Sequence, residues 1–76
     1  MTPLRAARTA KGLTLVQLAR KARITYTTAQ ALDSGKREGE IPTMIKISAA
    51  MGDKNFNLWP ESRRDLRRVK RLMESL

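Results

Sequence analysis

The sequence predicts an all-α fold: a compact bundle of five short helices, followed by a basic C-terminal helix. Three observations lead there. Helix start and stop residues recur along nearly the whole chain, as Thr2-Pro3, Gly12, Thr14, Thr25, Gly35, Pro42 and Gly52. No segment alternates apolar and polar residues as a half-buried strand does. Core-facing residues recur instead at the i, i+3, i+4, i+7 spacing of a helix face, for instance at Met44, Ile47, Ser48 and Met51, with Ser48 the one polar member.

The elements follow in order. Thr2 and Pro3 suit the cap and first turn of a helix ending near Lys11, where Gly12 stops it. Thr14 caps a second helix reaching about Ala22, and Gln17 completes a capping-box pattern with it. Thr25 caps a third, which Gly35 ends. Pro42 lies in the first turn of a fourth helix that Gly52 terminates. Asn55 is expected to cap a short helical turn through Phe56, Leu58 and Trp59. After the break at Pro60, Ser62 and Asp65 begin the last helix. Residues 1–60 thus form one domain and residues 61–76 a basic tail, with no internal repeat and no low-complexity linker.

Composition narrows the function. The 76 residues carry 16 Lys and Arg against 7 Asp and Glu, a formal charge of +9, with no histidine and no cysteine. No cysteine means no disulfide framework. Without imidazole or thiolate the usual metal ligands are missing, so no metal and no cofactor are expected. The commonest general base and strongest nucleophile are missing too, so an enzyme is the weakest reading. No apolar run approaches a membrane span, and the N-terminus lacks a signal-peptide core. A soluble cytoplasmic domain is expected. Its charge seeks polyanions, and nucleic acid is the most abundant one there. The three aromatic residues, Tyr26, Phe56 and Trp59, do not recur along a basic strand, so a stacking platform for single strands has little support.

The second and third helices carry the informative pattern. Leu18, Ala19, Ala22, Ile24, Ala29 and Leu32 form one apolar set spanning the turn between them, with Ala19 small enough for a close crossing. A plain αα-corner in a small bundle would use the same set. On the third helix the residues away from that core side are Tyr26, Thr27, Gln30 and Ala31, which are short or polar where an ordinary exposed face carries long charges.

The flanking residues then match in register: Lys11-Gly12-Leu13-Thr14, Leu18-Ala19, Ile24-Thr25, Thr28, Leu32-Asp33-Ser34-Gly35-Lys36-Arg37-Glu38 and Ala50-Met51-Gly52. Over residues 4 to 60 the chain resembles the DNA-binding domain of the phage repressor and Cro-like, lambda-repressor-like helix-turn-helix family. The resemblance implies a sequence-specific regulator of transcription, with the third helix in the major groove of double-stranded DNA. It also implies a two-fold dimer on inverted half-sites, a repressor role at a promoter and a phage or mobile-element setting; no separate effector domain is expected.

Base contacts then fall to Tyr26, Thr27, Gln30 and Ala31. Gln30 can donate and accept at once, as adenine N6 and N7 require, and Thr27 can bond a base or meet a thymine methyl. Tyr26 reaches base or phosphate from the helix entrance. Ala31 offers close approach. Phosphate contacts fall to Thr14, Gln17, Arg23, Ser34, Lys36 and Arg37. The plain alternative is that these are solvated helix and loop residues. The family commonly pairs an acid with an arginine of the first helix, which here implies an Arg8–Asp33 ion pair.

Three positions depart from the family's pattern. Arg23 stands where the turn usually carries glycine, and a left-handed backbone there costs a non-glycine residue about 1 kcal/mol. Leu15 stands where glutamine is common and cannot bond a phosphate; with Val16 it is expected to pack on the first helix. No arginine or lysine lies between Tyr26 and Asp33, so readout leans on A·T pairs and DNA shape.

In the tail, Leu66, Val69, Met73 and Leu76 make a narrow apolar seam on a helix with six cations. The seam either packs beside Trp59 or joins two subunits, and the cations either extend the phosphate footprint or meet a membrane surface or calmodulin-like protein. Two other functions remain open. One is an antitoxin that grips a toxin through the tail and autoregulates its operon; the other is a nonspecific DNA-binding protein.

Overall fold

Three threonine hydroxyls start the first three helices. Thr2, Thr14 and Thr25 each have extended backbone, and each Oγ1 accepts the amide of the residue three positions on: Arg5 at 3.1 Å, Gln17 at 3.1 Å and Thr28 at 3.2 Å. Such a cap satisfies a donor that the helix itself leaves unpaired. The computed structural model describes residues 2–36 and 40–75, and its helices are α1 (Pro3–Ala10), α2 (Leu15–Ala22), α3 (Tyr26–Ser34), α4 (Ile41–Met51) and α5 (Arg63–Glu74). The fold is all-α, and the described residues contain helices and turns but no strand.

Left-handed residues end the middle helices. Gly35 (φ 76°) follows α3 and Gly52 (φ 72°) follows α4, where a side chain would strain the backbone. Arg23 takes the same role after α2, at φ 58° and ψ 46°. The family's left-handed turn is therefore kept without its usual glycine.

Two apolar clusters hold the helices together. Leu4, Leu18, Ala22, Leu32, Ile47, Met51 and Leu58 form the larger, joining α1 to α4 and covered at its edge by Ile24 and Leu13. Met44, Phe56 and Leu66 form the smaller, which docks α5 on α4. Trp59 packs on both, and its indole Nε1 donates to the buried Ser48 Oγ at 2.8 Å. The single polar position in the α4 stripe thus has a partner, as a buried hydroxyl must.

The segment between α4 and α5 differs from expectation. From Asn55 to Trp59 there is no helix but a single turn, closed by the Trp59 amide on the Phe56 carbonyl at 3.1 Å, and Asn55 makes no capping bond to it. Asp53 does the capping instead: its carboxylate accepts the amides of Asn57 at 3.0 Å and Leu58 at 2.9 Å. Phe56 is left-handed at φ 56°, a conformation no right-handed helix passes through. Its ring is buried in the smaller cluster. Burying a phenylalanine is worth roughly 1.5–3 kcal/mol, enough to offset a left-handed backbone. Ser62 precedes α5, yet its hydroxyl makes no cap bond; its amide closes a turn on the Trp59 carbonyl at 3.1 Å.

Candidate nucleic-acid interface

The α2–turn–α3 unit is built by backbone bonds that need Arg23 left-handed. The Arg23 amide meets the Arg20 carbonyl at 3.2 Å and the Ile24 amide meets the Ala19 carbonyl at 3.0 Å. Ile24 then packs against the larger cluster, and Ala19 and Ala29 are buried. Their lack of bulk permits α2 and α3 to cross closely.

With Ala29, Leu32 and Asp33 turned inward, α3 presents Tyr26, Thr27 and Gln30 to solvent and leaves Ala31 half-buried. Tyr26 is 47% exposed, a large apolar ring left at the surface beside polar groups. Thr28 is half-buried, its hydroxyl tied to Thr25 Oγ1 at 2.8 Å. The exposed strip of α3 therefore has no long cation and no carboxylate.

At the start of α2 the capping box is complete. Thr14 Oγ1 accepts the Gln17 amide, and Gln17 Oε1 accepts the Thr14 amide at 2.9 Å. The Gln17 side-chain NH₂ and the Thr14 hydroxyl proton both remain available as outward donors. The α2 first turn contains no acid, so its positive dipole end is not neutralised. Arg23 and Lys36 are exposed. Ser34 differs, because its Oγ donates to the Ala31 carbonyl at 3.2 Å and so spends its proton inside the helix. Arg37 lies outside the described residues.

Val16 lies on the outer side of α2. It stands two residues before the buried Leu18, which places it across the helix, and it is 46% exposed; Leu15 is half-buried.

Behind α3 sits a charged anchor. Asp33 is buried, with Arg8 Nε donating to its Oδ1 at 2.7 Å and Arg8 Nη2 to its Oδ2 at 3.2 Å. Arg8 Nη1 also donates to the Leu13 carbonyl at 2.8 Å, so one side chain links α1, the loop before α2, and α3. Arg5 Nε adds a bond to Asp33 Oδ2 at 3.0 Å, and the Thr2 hydroxyl donates to the Asp33 carbonyl at 2.7 Å. Burial pushes the Asp33 carboxyl toward neutrality, but the hydrogen bonds and charges of Arg8 and Arg5 outweigh it and hold the group below its ordinary range. The same hydrogen bond raises Arg8. Arg5 escaped the sequence reading, although its place three residues before Arg8, on the same face of α1, was a usable signal.

Among the described residues no group of carboxylates is placed to hold a metal ion, and no helix is long and apolar enough to cross a membrane.

The sequence model of a family described as helix-turn-helix matches residues 4–59. Comparison with curated proteins and with solved structures gives no significant match. The chain belongs to the helix-turn-helix family of the Cro and C1, lambda-repressor-like type. Membership implies DNA binding, and families of this kind are typically non-catalytic.

Proposed function

We propose that this helix-turn-helix protein is a sequence-specific transcriptional regulator, a repressor that occupies an operator through α3 in the major groove. The observation that carries the reading is the exposed strip of Tyr26, Thr27 and Gln30, short and uncharged, on a helix pinned from behind through Asp33. A strip of that kind admits base edges closely, while a rigid scaffold keeps the register that direct readout needs.

Gln30 reads adenine, Thr27 and Ala31 meet thymine methyl groups or neighbouring edges, and Tyr26 works at the groove's edge. Thr14, Gln17 and the first amides of α2 hold phosphate on one side; Arg23, Lys36 and Arg37 do so around the recognition helix. Ser34 joins them only by changing rotamer, since its proton is bound to the Ala31 carbonyl. The Arg8–Asp33 pair reads no base and serves as scaffold.

The protein works as a homodimer on inverted half-sites about one helical turn apart. Leu72 and Met73, 61% and 56% exposed on α5, support a subunit contact in the tail. The same apolar residues suit a protein partner, and co-purification of a small toxin would shift the reading to an autoregulating antitoxin. A phage or mobile-element operon is the expected setting.

Selection of bound duplexes from a random pool tests the proposal. A two-fold symmetric consensus supports specificity and dimer use together. Recovery of unenriched sequence would replace the regulator with a nonspecific DNA-binding protein.

A further inference from the structure

Helix α5 places its lysine and its arginines differently, although Arg67 and Arg71 also border the surface of Lys70 and Glu74. Lys70 is partly exposed and leans over Phe56: its Nζ lies 5.7 Å from the ring centroid and 4.0 Å from Glu74 Oε1. The five arginines turn outward, and Arg63, Arg64, Arg67, Arg68 and Arg71 line one shallow surface with Pro60 and no carboxylate. Arg63 Nε donates to the Asn55 carbonyl at 3.0 Å. Among the described residues Arg64, Arg67, Arg68 and Arg71 make no ion pair and no side-chain hydrogen bond, and all four are exposed.

Like charges at i, i+3 and i, i+4 disfavour a helix, and this row repeats both spacings; Asp65, the one acid within it, makes no ion pair with them and does not line their surface. Its residues are arginines, whose planar fork matches phosphate oxygens in pairs. The row spans about 12 Å, at about 1.5 Å per residue. Its position is informative as well. Pro60 borders the arginine surface and also the depression where Glu61 and Ser62 meet Leu32 and Gly35 at the end of α3. One depression thus runs from the end of α3 to Pro60, where the arginine row starts.

We propose that the arginine face of α5 is a second phosphate-binding surface, which grips the DNA backbone flanking the half-site that α3 reads. The proposal rests on the DNA-binding reading above and adds to it a separate, sequence-independent contact. It assigns the tail cations to the duplex rather than to an anionic membrane or an acidic protein.

The test compares the full chain with two variants: Arg64→Gln/Arg67→Gln/Arg68→Gln/Arg71→Gln, and the same four positions changed to Lys. Arg63 stays, because it bonds the Asn55 carbonyl. Binding to a random 40-base-pair duplex and to a duplex from the selected pool is followed by fluorescence anisotropy across a salt series. The glutamine variant is expected to lower the slope of log affinity against log salt by about two to four, because each phosphate contact contributes about 0.9. The loss is the same on both duplexes, so the preference for the selected duplex is unchanged. The lysine variant keeps the slope.

A slope within half a unit of the parent for the glutamine variant overturns the proposal. So does a loss confined to the selected duplex. Capture of the parent by phosphatidylserine vesicles, with an unchanged DNA slope in the glutamine variant, would move the surface to membranes. Circular dichroism keeps folding separate: if the fourfold variant melts early, Arg64→Gln/Arg68→Gln alone must lower the slope by about half as much. If no consensus emerges from the random pool, the specificity of α3 fails, while the slope on the random duplex still decides the arginine face.

Discussion

The Arg8 guanidinium meets the buried Asp33 carboxylate through two bonds, Nε to Oδ1 at 2.7 Å and Nη2 to Oδ2 at 3.2 Å, and ties the end of α3 to α1. This pair sets the pose of α3 against α1 from its buried side.

Its charge predicts an acid sensitivity. The Asp33 pKa is lowered in the folded state, so its contribution to stability is complete above the unfolded value near 4. That contribution is lost as pH falls below about 4 and through the folded value. Urea unfolding at neutral pH should show Asp33→Asn less stable by about 3 kcal/mol, since a nearly buried partner is left uncompensated. The gap between parent and variant should close toward pH 2. A gap that stays constant from pH 6 to pH 2 would show that the charge does not matter. Arg5→Ala should cost less than about 1 kcal/mol, because Arg5 is 45% exposed.

Arg23→Gly should move stability and binding in opposite directions. Relief of the left-handed backbone at φ 58° stabilises the domain by up to about 1 kcal/mol. Removal of the cation weakens binding to every duplex and lowers the salt slope by about one. Thermal melting and a salt titration measure the two effects. A variant that melts lower would indicate that Arg23 packs more than it strains.

Gln30→Ala should reduce specific binding by about 1–3 kcal/mol and leave the melting temperature unchanged. Lys36→Ala should weaken selected and random duplexes alike, with the salt slope reduced by about one. Equal losses on both duplexes for Gln30→Ala would remove it from base readout.

Trp59→Phe should cost more than its change in volume suggests. It leaves the buried Ser48 hydroxyl without the indole donor seen at 2.8 Å, a penalty of about 1–3 kcal/mol. Adding Ser48→Ala should recover most of that loss, because an apolar pair no longer buries an unpaired group. Additive losses in the double variant would sink the account.

The helix limits were legible because they depend on local chemistry. Thr2, Thr14 and Thr25 cap, and Gly35 and Gly52 stop, by bonds and dihedrals that span four or five residues. The capping box of Thr14 and Gln17 could be read for the same reason. The segment after Gly52 could not. Asn55 and Asp53 are both good caps by type, and the choice between them came from the burial of Phe56 under α4 and α5, a contact beyond any local window.

The candidate interface divides in the same way. The exposed strip of Tyr26, Thr27 and Gln30 follows from helical spacing and needs no tertiary information. Arg8 and Asp33 stand 25 residues apart, and only resemblance to a family pattern joined them in advance. The sequence by itself determined the limits of the first four helices, the basic charge and which residues α3 shows to solvent, because these depend on short-range bonds and periodicity. The tertiary structure alone decided three matters: the second arginine on Asp33, the inward proton of Ser34, and the placement of Lys70 over the Phe56 ring. Each depends on which distant group a long or rotatable side chain can reach once the helices are packed.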